Sequence, residues 1–343
     1  MSKVKENNDN ATSNEIINDN NQYKGKLKLI KSINLDEYYV KLFSNFPSGG
    51  FIYISFNNKI KIFNSNLNIT QDIKINENEN INDVVIRDED TFLIASNNNI
   101  NIYTKSKTKE EYLLTKTIKN SHNGKIKIII NFSDTKIITS SEDKKIILWE
   151  EKNKNNYNYQ INTVFNLKDK NEAQSILVLQ DKNLLIYSGD SGTHFLTLNK
   201  FQFCIKFKSL TWKKFSMARI DEDHIIVGRF YLFYVISLSQ KKIIKDVGVH
   251  VSGINTICVI KEKGVFLIGG ESNYDSNAGT KIYIHRIDNY EEIKVINNAH
   301  REYILFIVQL NHNLIASCGY DNDYEKLDNR KRKNYIRFWS LED

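Results

Sequence analysis

Residues Lys136–Trp149 read KIITSSEDKKIILW, and this stretch carries the pattern that decides the fold. A short β-branched run leads into a small residue, then a turn of charged residues, then a second apolar run. Two such runs joined by a short polar turn are typical of a β-hairpin. The stretch therefore predicts a pair of antiparallel strands.

The same hairpin pattern appears seven times, at intervals of about 40 to 50 residues. Other copies read FIYISFNNKIKIF from Phe51 and FLIASNNNINIY from Phe92, and the last one begins at Leu314. The small residues that close the first run of each copy are Ser55, Ser96, Thr139, Ser188, Gly228, Gly269 and Ser317. A period in the forties that contains several strands is the signature of a β-propeller.

Each unit also has one strand before the hairpin and one after it, except the seventh, which ends with its third strand at Tyr335–Leu341. The alternating segment Lys26–Ile33 can supply the missing strand. We therefore predict an all-β, seven-bladed β-propeller of four-stranded antiparallel blades, with the ring closed by an N-terminal strand. Residues 23–343 form this single propeller, and the polar residues 1–22 are predicted to be a disordered tail.

The composition narrows the range of functions and cellular locations that the chain can have. The chain has 48 Lys and Arg against 41 Asp and Glu, a net charge of +7 that is spread along its length rather than gathered into a nucleic-acid footprint. Its three cysteines, Cys204, Cys258 and Cys318, are scattered, which favours a reducing compartment. With no apolar leader and no apolar run long enough to cross a bilayer, we predict a cytoplasmic protein without membrane insertion, with the nucleus as an alternative.

The stretch from Ser121 to Trp149 resembles a WD repeat. That family has a His before the first strand, a Ser or Thr in the second, an Asp in the next turn and a Trp in the third. The matching residues of units three and seven are His122, Thr139, Asp143, Trp149, His300, Ser317, Asp321 and Trp339. The resemblance implies a hydrogen-bonded chain from indole through hydroxyl and imidazole to carboxylate.

A His, an Asp and a hydroxyl group also suggest a hydrolase triad. We favour the structural interpretation because the same set recurs in two units. In other units the third-strand Trp is replaced by Phe63, Tyr103 and His285, which weakens the pattern there.

The sequence contains no GxxxxGK[ST], HExxH or GxSxG motif and no strand-linked GxGxxG, so we predict no enzyme activity and no cofactor or metal site. The predicted function is a non-catalytic scaffold or adaptor that binds proteins through the loops of one propeller face. We expect it to be monomeric alone and to join a multiprotein hetero-complex. The alternatives are an RNA- or ribosome-associated propeller and, third, an enzyme with a site at the mouth of the central channel.

In WD-repeat propellers, the loops before the first strands and between the second and third strands share one face. In units five to seven, these loops contain several aromatic, Arg and His residues. Aromatic residues and Arg contribute much of the binding energy at protein interfaces. The candidate protein-binding residues are Trp212, Arg229, Phe230, Tyr231, His250, Tyr274, Arg301 and Tyr320. A basic loop, Arg330, Lys331, Arg332 and Lys333, is a candidate localisation signal, phosphate contact or acidic-partner site.

Overall fold

The computed structural model describes residues 26–35, 40–55, 57–75, 79–154, 156–167, 172–189, 192–198, 202–207, 216–271, 279–321 and 333–342. The predicted disordered tail, residues 1–22, lies outside these ranges. Apart from one 3₁₀ turn at Lys261–Lys263, the regular structure in these ranges consists of β-strands.

Seven sheets of four strands make up the described fold. Blades one to three contain β2 Val40–Asn45, β3 Phe51–Ser55, β4 Lys59–Phe63 and β5 Ile69–Lys74; β6 Ile81–Asp88, β7 Thr91–Ser96, β8 Asn99–Lys105 and β9 Tyr112–Ile118; β10 Ile126–Ser133, β11 Lys136–Ser141, β12 Lys145–Glu151 and β13 Tyr159–Asn166. Blades four to six contain β14 Ser175–Leu179, β15 Leu184–Gly189, β16 Gly192–Thr197 and β17 Phe203–Phe207; β18 Met217–Arg219, β19 His224–Gly228, β20 Leu232–Ser237 and β21 Lys242–Gly248; β22 Ile254–Ile260, β23 Val265–Gly270, β24 Thr280–Arg286 and β25 Glu292–His300. Blade seven contains β26 Tyr303–Asn311, β27 Leu314–Asp321, β28 Lys333–Glu342 and, as its outermost strand, β1 Lys26–Leu35.

The predicted seven-bladed propeller is confirmed, and the N-terminal strand closes the ring. β1 runs antiparallel to β28, from the pair Lys26–Glu342 to the pair Leu35–Asn334. This pairing covers the edge of β28 that the chain's own last blade would otherwise leave open.

Seven apolar clusters hold the ring together, one at each junction between neighbouring blades. At the closing junction, Phe51 of blade one meets Phe338 of blade seven with ring centroids 5.8 Å apart. The second strands are buried on both sides, as in Phe51–Ser55, whereas outer strands such as Tyr159–Asn166 are largely exposed. This explains why the second strands read as unbroken apolar runs.

The antiparallel order gives the disc two different faces. At one end of every blade lie the turn between the second and third strands and the loop that leads to the next blade. We call this end the upper face. At the other end, the lower face, lie the turns between the first and second and between the third and fourth strands.

Candidate functional site

A buried polar chain crosses blade three near the upper face. Trp149 Nε1 donates to Thr139 Oγ1 at 2.8 Å, and His122 Nε2 lies 2.7 Å from the same hydroxyl. Because the hydroxyl accepts from the indole, its own proton can go to the imidazole. Thr139 is 0% and His122 only 3% exposed, so a substrate has no access to a hydroxyl nucleophile here.

The chain ends at Asp143, which fastens two loops of the upper face to each other. His122 Nδ1 lies 3.0 Å from Asp143 Oδ2, and the backbone N–H groups of Asn123 and Lys145 donate to the same carboxylate at 3.1 Å. Burial lowers the pKa of His122, an effect that Asp143 only partly offsets. Burial alone would raise the pKa of Asp143, but its hydrogen bonds lower it overall. At neutral pH, His122 is therefore a neutral imidazole beside the ionised carboxylate of Asp143. The indole N–H of Trp149, the hydroxyl of Thr139 and the Nδ1–H of His122 all have hydrogen-bond acceptors.

Blade seven contains a similar arrangement. His300 Nε2 lies 2.9 Å from Ser317 Oγ, and Trp339 Nε1 donates to that hydroxyl at 2.8 Å. The side chain of Asp321, the predicted carboxylate of this set, lies outside the described residues.

Unlike Ser317, the small residues Ser55, Ser96 and Gly269 do not occupy the position of Thr139, which corrects the alignment made from the sequence. Thr139 lies two residues beyond Ile137, the residue that pairs with Trp149. The corresponding residues, two beyond the partners of Phe63, Tyr103 and His285, are Tyr53, Ile94 and Ile268. Ser55 and Ser96 lie two residues later, at the position that Ser141 has in blade three, and Gly269 lies one residue later.

In blade six, His285 occupies the position that Trp149 has in blade three, and it packs as an aromatic ring. It stacks on Phe266 with centroids 5.3 Å apart and meets Phe233 edge-on at 5.3 Å. Its Nδ1 donates to the Tyr290 carbonyl at 3.1 Å, while within the described chain its buried Nε2 has no hydrogen-bond partner. Burial lowers the pKa of His285.

The blade-five turn Arg229–Tyr231 projects from the upper face. Phe230 is 40% and Tyr231 65% exposed, and the Arg229 guanidinium lies 5.6 Å from the Phe230 ring centroid. Gly228 precedes the turn and packs against blade six, where a Cβ atom would come within 2.7 Å of Ile254 Cγ2. The turn is therefore held on a rigid base while its rings point away from the core.

His250 extends this exposed group. The N–H of Val249 donates to the Tyr231 carbonyl at 2.7 Å, which brings His250 beside the turn. The His250 side chain is exposed, and its carbonyl accepts a hydrogen bond from the Tyr283 hydroxyl at 2.8 Å. We call Arg229, Phe230, Tyr231 and His250 the blade-five patch.

The other predicted face residues divide into two groups. Arg301 is exposed on the loop between blades six and seven. Trp212, Tyr274, Arg330, Lys331 and Arg332 lie outside the described residues, as do the side chains of Tyr320 and Lys333.

Sequence reasoning missed a buried ion pair between blades two and three. Arg87 Nη2 lies 2.6 Å from Glu151 Oε2, and both side chains are almost fully buried. The guanidinium also donates to the Tyr159 hydroxyl and to the Asp134 carbonyl. No local signal could have found it, because the two charges are far apart in the chain and neither belongs to a motif.

Two further features of the described residues concern membrane crossing and metal binding. Within the described ranges, no helix is long and apolar enough to cross a membrane. The same residues contain no group of three or more His, Cys, Asp or Glu side chains arranged to hold a metal ion.

No protein-family model matches this chain, and no curated protein matches it in sequence. The fold is similar to that of a chain in the "Crystal Structure of Mitotic Checkpoint Complex", with a TM-score of 0.71 and 10% sequence identity. The superposition covers 92% of this chain and 96% of that chain. At this identity the likeness shows the fold alone.

Proposed function

We propose that this chain is a divergent WD-repeat propeller that acts as a non-catalytic scaffold. It binds other proteins through the blade-five patch, as a subunit of a multiprotein complex. We further propose that it works in the cytoplasm, with the nucleus as the alternative, since its scattered cysteines favour a reducing compartment.

The observation that carries this proposal is the exposure of two adjacent aromatic rings, Phe230 and Tyr231, on a rigid turn. Aromatic residues and Arg supply much of the binding energy at protein interfaces, and they lose little conformational entropy when the turn is already fixed. Arg229 beside the rings adds a donor for a partner's carboxylate or carbonyl groups. A similar fold in a chain of a multiprotein complex is compatible with this role.

The polar chains support a scaffold over an enzyme. The hydroxyl groups of Thr139 and Ser317 are fully buried and already bonded to indole and imidazole, which suits a structural role. They stabilise the disc on which the blade-five patch is carried.

The test is a comparison of proteins that co-purify with the tagged full chain and with a Phe230→Ser/Tyr231→Ser variant. The matched control is Leu113→Ser/Leu114→Ser, which removes two exposed apolar side chains from the outer strand of blade two. We expect the patch variant to lose the specific partners, and the control to keep them, at unchanged melting temperatures. A parallel sample treated with ribonuclease separates protein partners from RNA-mediated ones.

Retention of every partner by the patch variant would contradict the proposed site. Loss of the partners after ribonuclease treatment would instead favour an RNA-associated propeller.

A further inference from the structure

Arg229, at the base of the blade-five turn, is a half-buried cation without a counter-ion among the described residues. No ion pair within 4.0 Å joins its guanidinium to a described Asp or Glu side chain. Its Nε atom is buried and, within the described chain, has no hydrogen-bond partner. Glu271, at the start of the blade-six turn, instead lies against Gly253, where a Cβ atom would be 3.6 Å from Glu271 Oε2.

The backbone of the turn holds this cation in a fixed place beside the exposed rings. The Arg229 N–H donates to the Leu232 carbonyl at 2.9 Å, which closes the turn around Phe230 and Tyr231. The Arg229 carbonyl accepts from the Ile254 N–H of blade six at 3.4 Å. The guanidinium lies 5.6 Å from the Phe230 ring centroid. A positive charge and two apolar rings are therefore arranged before a partner arrives, which lowers the entropic cost of binding.

A carboxylate is the group that suits this guanidinium best. The planar fork of an arginine matches the two oxygens of a carboxylate, and such charge-assisted hydrogen bonds are about twice as strong as those to a neutral carbonyl. Part of the Arg229 side chain is already out of contact with water, so pairing adds less desolvation cost than it would for a fully hydrated cation. A basic side chain at the same place would be repelled.

The charge of the blade-five connections has the same sign. The turn 229–231, the connection 249–253 and residues 208–215, which join blades four and five and lie outside the described residues, contain no Asp or Glu. Their basic residues are Lys208, Lys213, Lys214 and Arg229. The corresponding turns of blades four and six contain Asp190, Glu271 and Asp275, so the excess of positive charge is local to blade five. A local excess of one charge sign attracts the opposite sign.

We propose that the blade-five patch recognises an acidic segment of a partner protein. An Asp or Glu side chain of that segment pairs with Arg229, and an adjacent apolar side chain packs on Phe230 or Tyr231. The assignment rests on the proposed function, because it names the chemistry of the partner that the same patch binds.

Selection of displayed random heptapeptides on the immobilised full chain tests the proposal. Peptides that bind the wild type but not the Phe230→Ser/Tyr231→Ser variant are ligands of the patch. We expect them to be enriched in Asp or Glu next to an aliphatic or aromatic residue. Selection on an Arg229→Glu variant should replace this preference by one for Lys or Arg, because the sign of the fixed charge is reversed.

Fluorescence anisotropy with a selected acidic peptide then measures the pairing itself. Replacing the acidic residue of the peptide by its amide should weaken binding to the wild type about tenfold, but binding to Arg229→Gln less than about twofold. Arg229→Lys, which keeps the charge without the planar fork, should lie between the wild type and Arg229→Gln. The matched control, Lys144→Gln, removes one positive charge from the exposed upper-face turn of blade three and should change the affinity less than about twofold.

Two outcomes overturn the acidic partner and leave the patch in place: patch ligands without enrichment in Asp or Glu, or equal weakening by Arg229→Gln and Lys144→Gln. If no selected peptide depends on Phe230 and Tyr231, the patch itself is contradicted, and the acidic partner with it. Melting temperatures of all variants are measured in parallel. If Arg229→Gln does not fold, the comparison of the acidic peptide with its amide on the wild-type chain decides the question.

Discussion

Blades three and five show two uses of the same position in a propeller. In blade three, the upper-face turn is tied inwards, because Asp143 receives His122 and two backbone N–H groups. In blade five, the second strand has the aliphatic Val227 near its upper end, and the turn that follows leaves Phe230 and Tyr231 exposed. The turn whose carboxylate is bonded inwards stabilises the disc, and the turn whose aromatic rings are exposed is the one that we propose binds a partner.

The difference teaches how to separate structural from functional residues in a divergent repeat. The residues of blade three that look catalytic are buried and fully hydrogen-bonded, so their loss should act on stability. Phe230 and Tyr231 of blade five are residue types that usually pack in a core, but here they are exposed, so their loss should affect binding.

The largest expected effect comes from Thr139→Val, which makes blade three resemble blade five. Trp149 Nε1 and His122 Nε2 both lose their partner in a buried site, so the free energy of unfolding should fall by about 2 to 4 kcal/mol. Chemical denaturation measures it. Thr139→Ser, which keeps the hydroxyl group and loses the methyl group, should cost clearly less. An equal loss in the two variants would contradict this account, because the methyl group would then contribute as much as the hydroxyl group.

A smaller effect is expected from Asp143→Asn. The amide oxygen can still accept from His122 and the backbone, but charge-assisted hydrogen bonds become neutral ones, at a cost of about 1 kcal/mol. The hydrogen bonds lower the pKa of Asp143, so the wild-type carboxylate stabilises the fold above the unfolded-state pKa and loses this effect as the pH falls. The difference between the wild type and the variant should therefore shrink in acid, and a constant difference across the pH range would contradict this account.

Blade six sharpens the comparison, since His285 is a buried imidazole without a carboxylate. Burial lowers its pKa, so below the unfolded-state value of about 6.5 the unfolded chain takes up a proton that the folded chain excludes. Stability should thus fall as the pH drops from 7 towards 5. His285→Phe should make this fall shallower in denaturation curves at each pH, and an unchanged slope would show that His285 does not contribute.

The smallest effect on stability is expected from Phe230→Ser/Tyr231→Ser. The exposed rings contribute little to the core, so the free energy of unfolding should change by less than about 0.5 kcal/mol. Denaturation beside Thr139→Val gives the contrast directly. A loss as large as that of Thr139→Val would mean that the rings are structural.

Periodicity predicted the fold well, because every blade repeats the same burial pattern and one blade lacked a strand that Lys26–Leu35 supplies. It failed at the register of the hairpins, where Ser55 and Ser96 align with Ser141 and not with Thr139, because blade three has hydroxyl residues at both positions. It could not find the Arg87–Glu151 pair, which depends on a contact between blades. Residue type did mark Phe230 and Tyr231 as unusual for a turn, but only the structure gives their exposure.

Site-specific photo-crosslinking in cells tests most directly whether the blade-five turn is the protein-binding surface. A benzoylphenylalanine at position 231 is compared with one at position 114, where Leu114 is similarly exposed on the outer strand of blade two. We predict discrete crosslinked protein species from position 231 and none of them from position 114. Equal crosslinking from both positions, or none from position 231 in a chain that folds normally, would contradict the account.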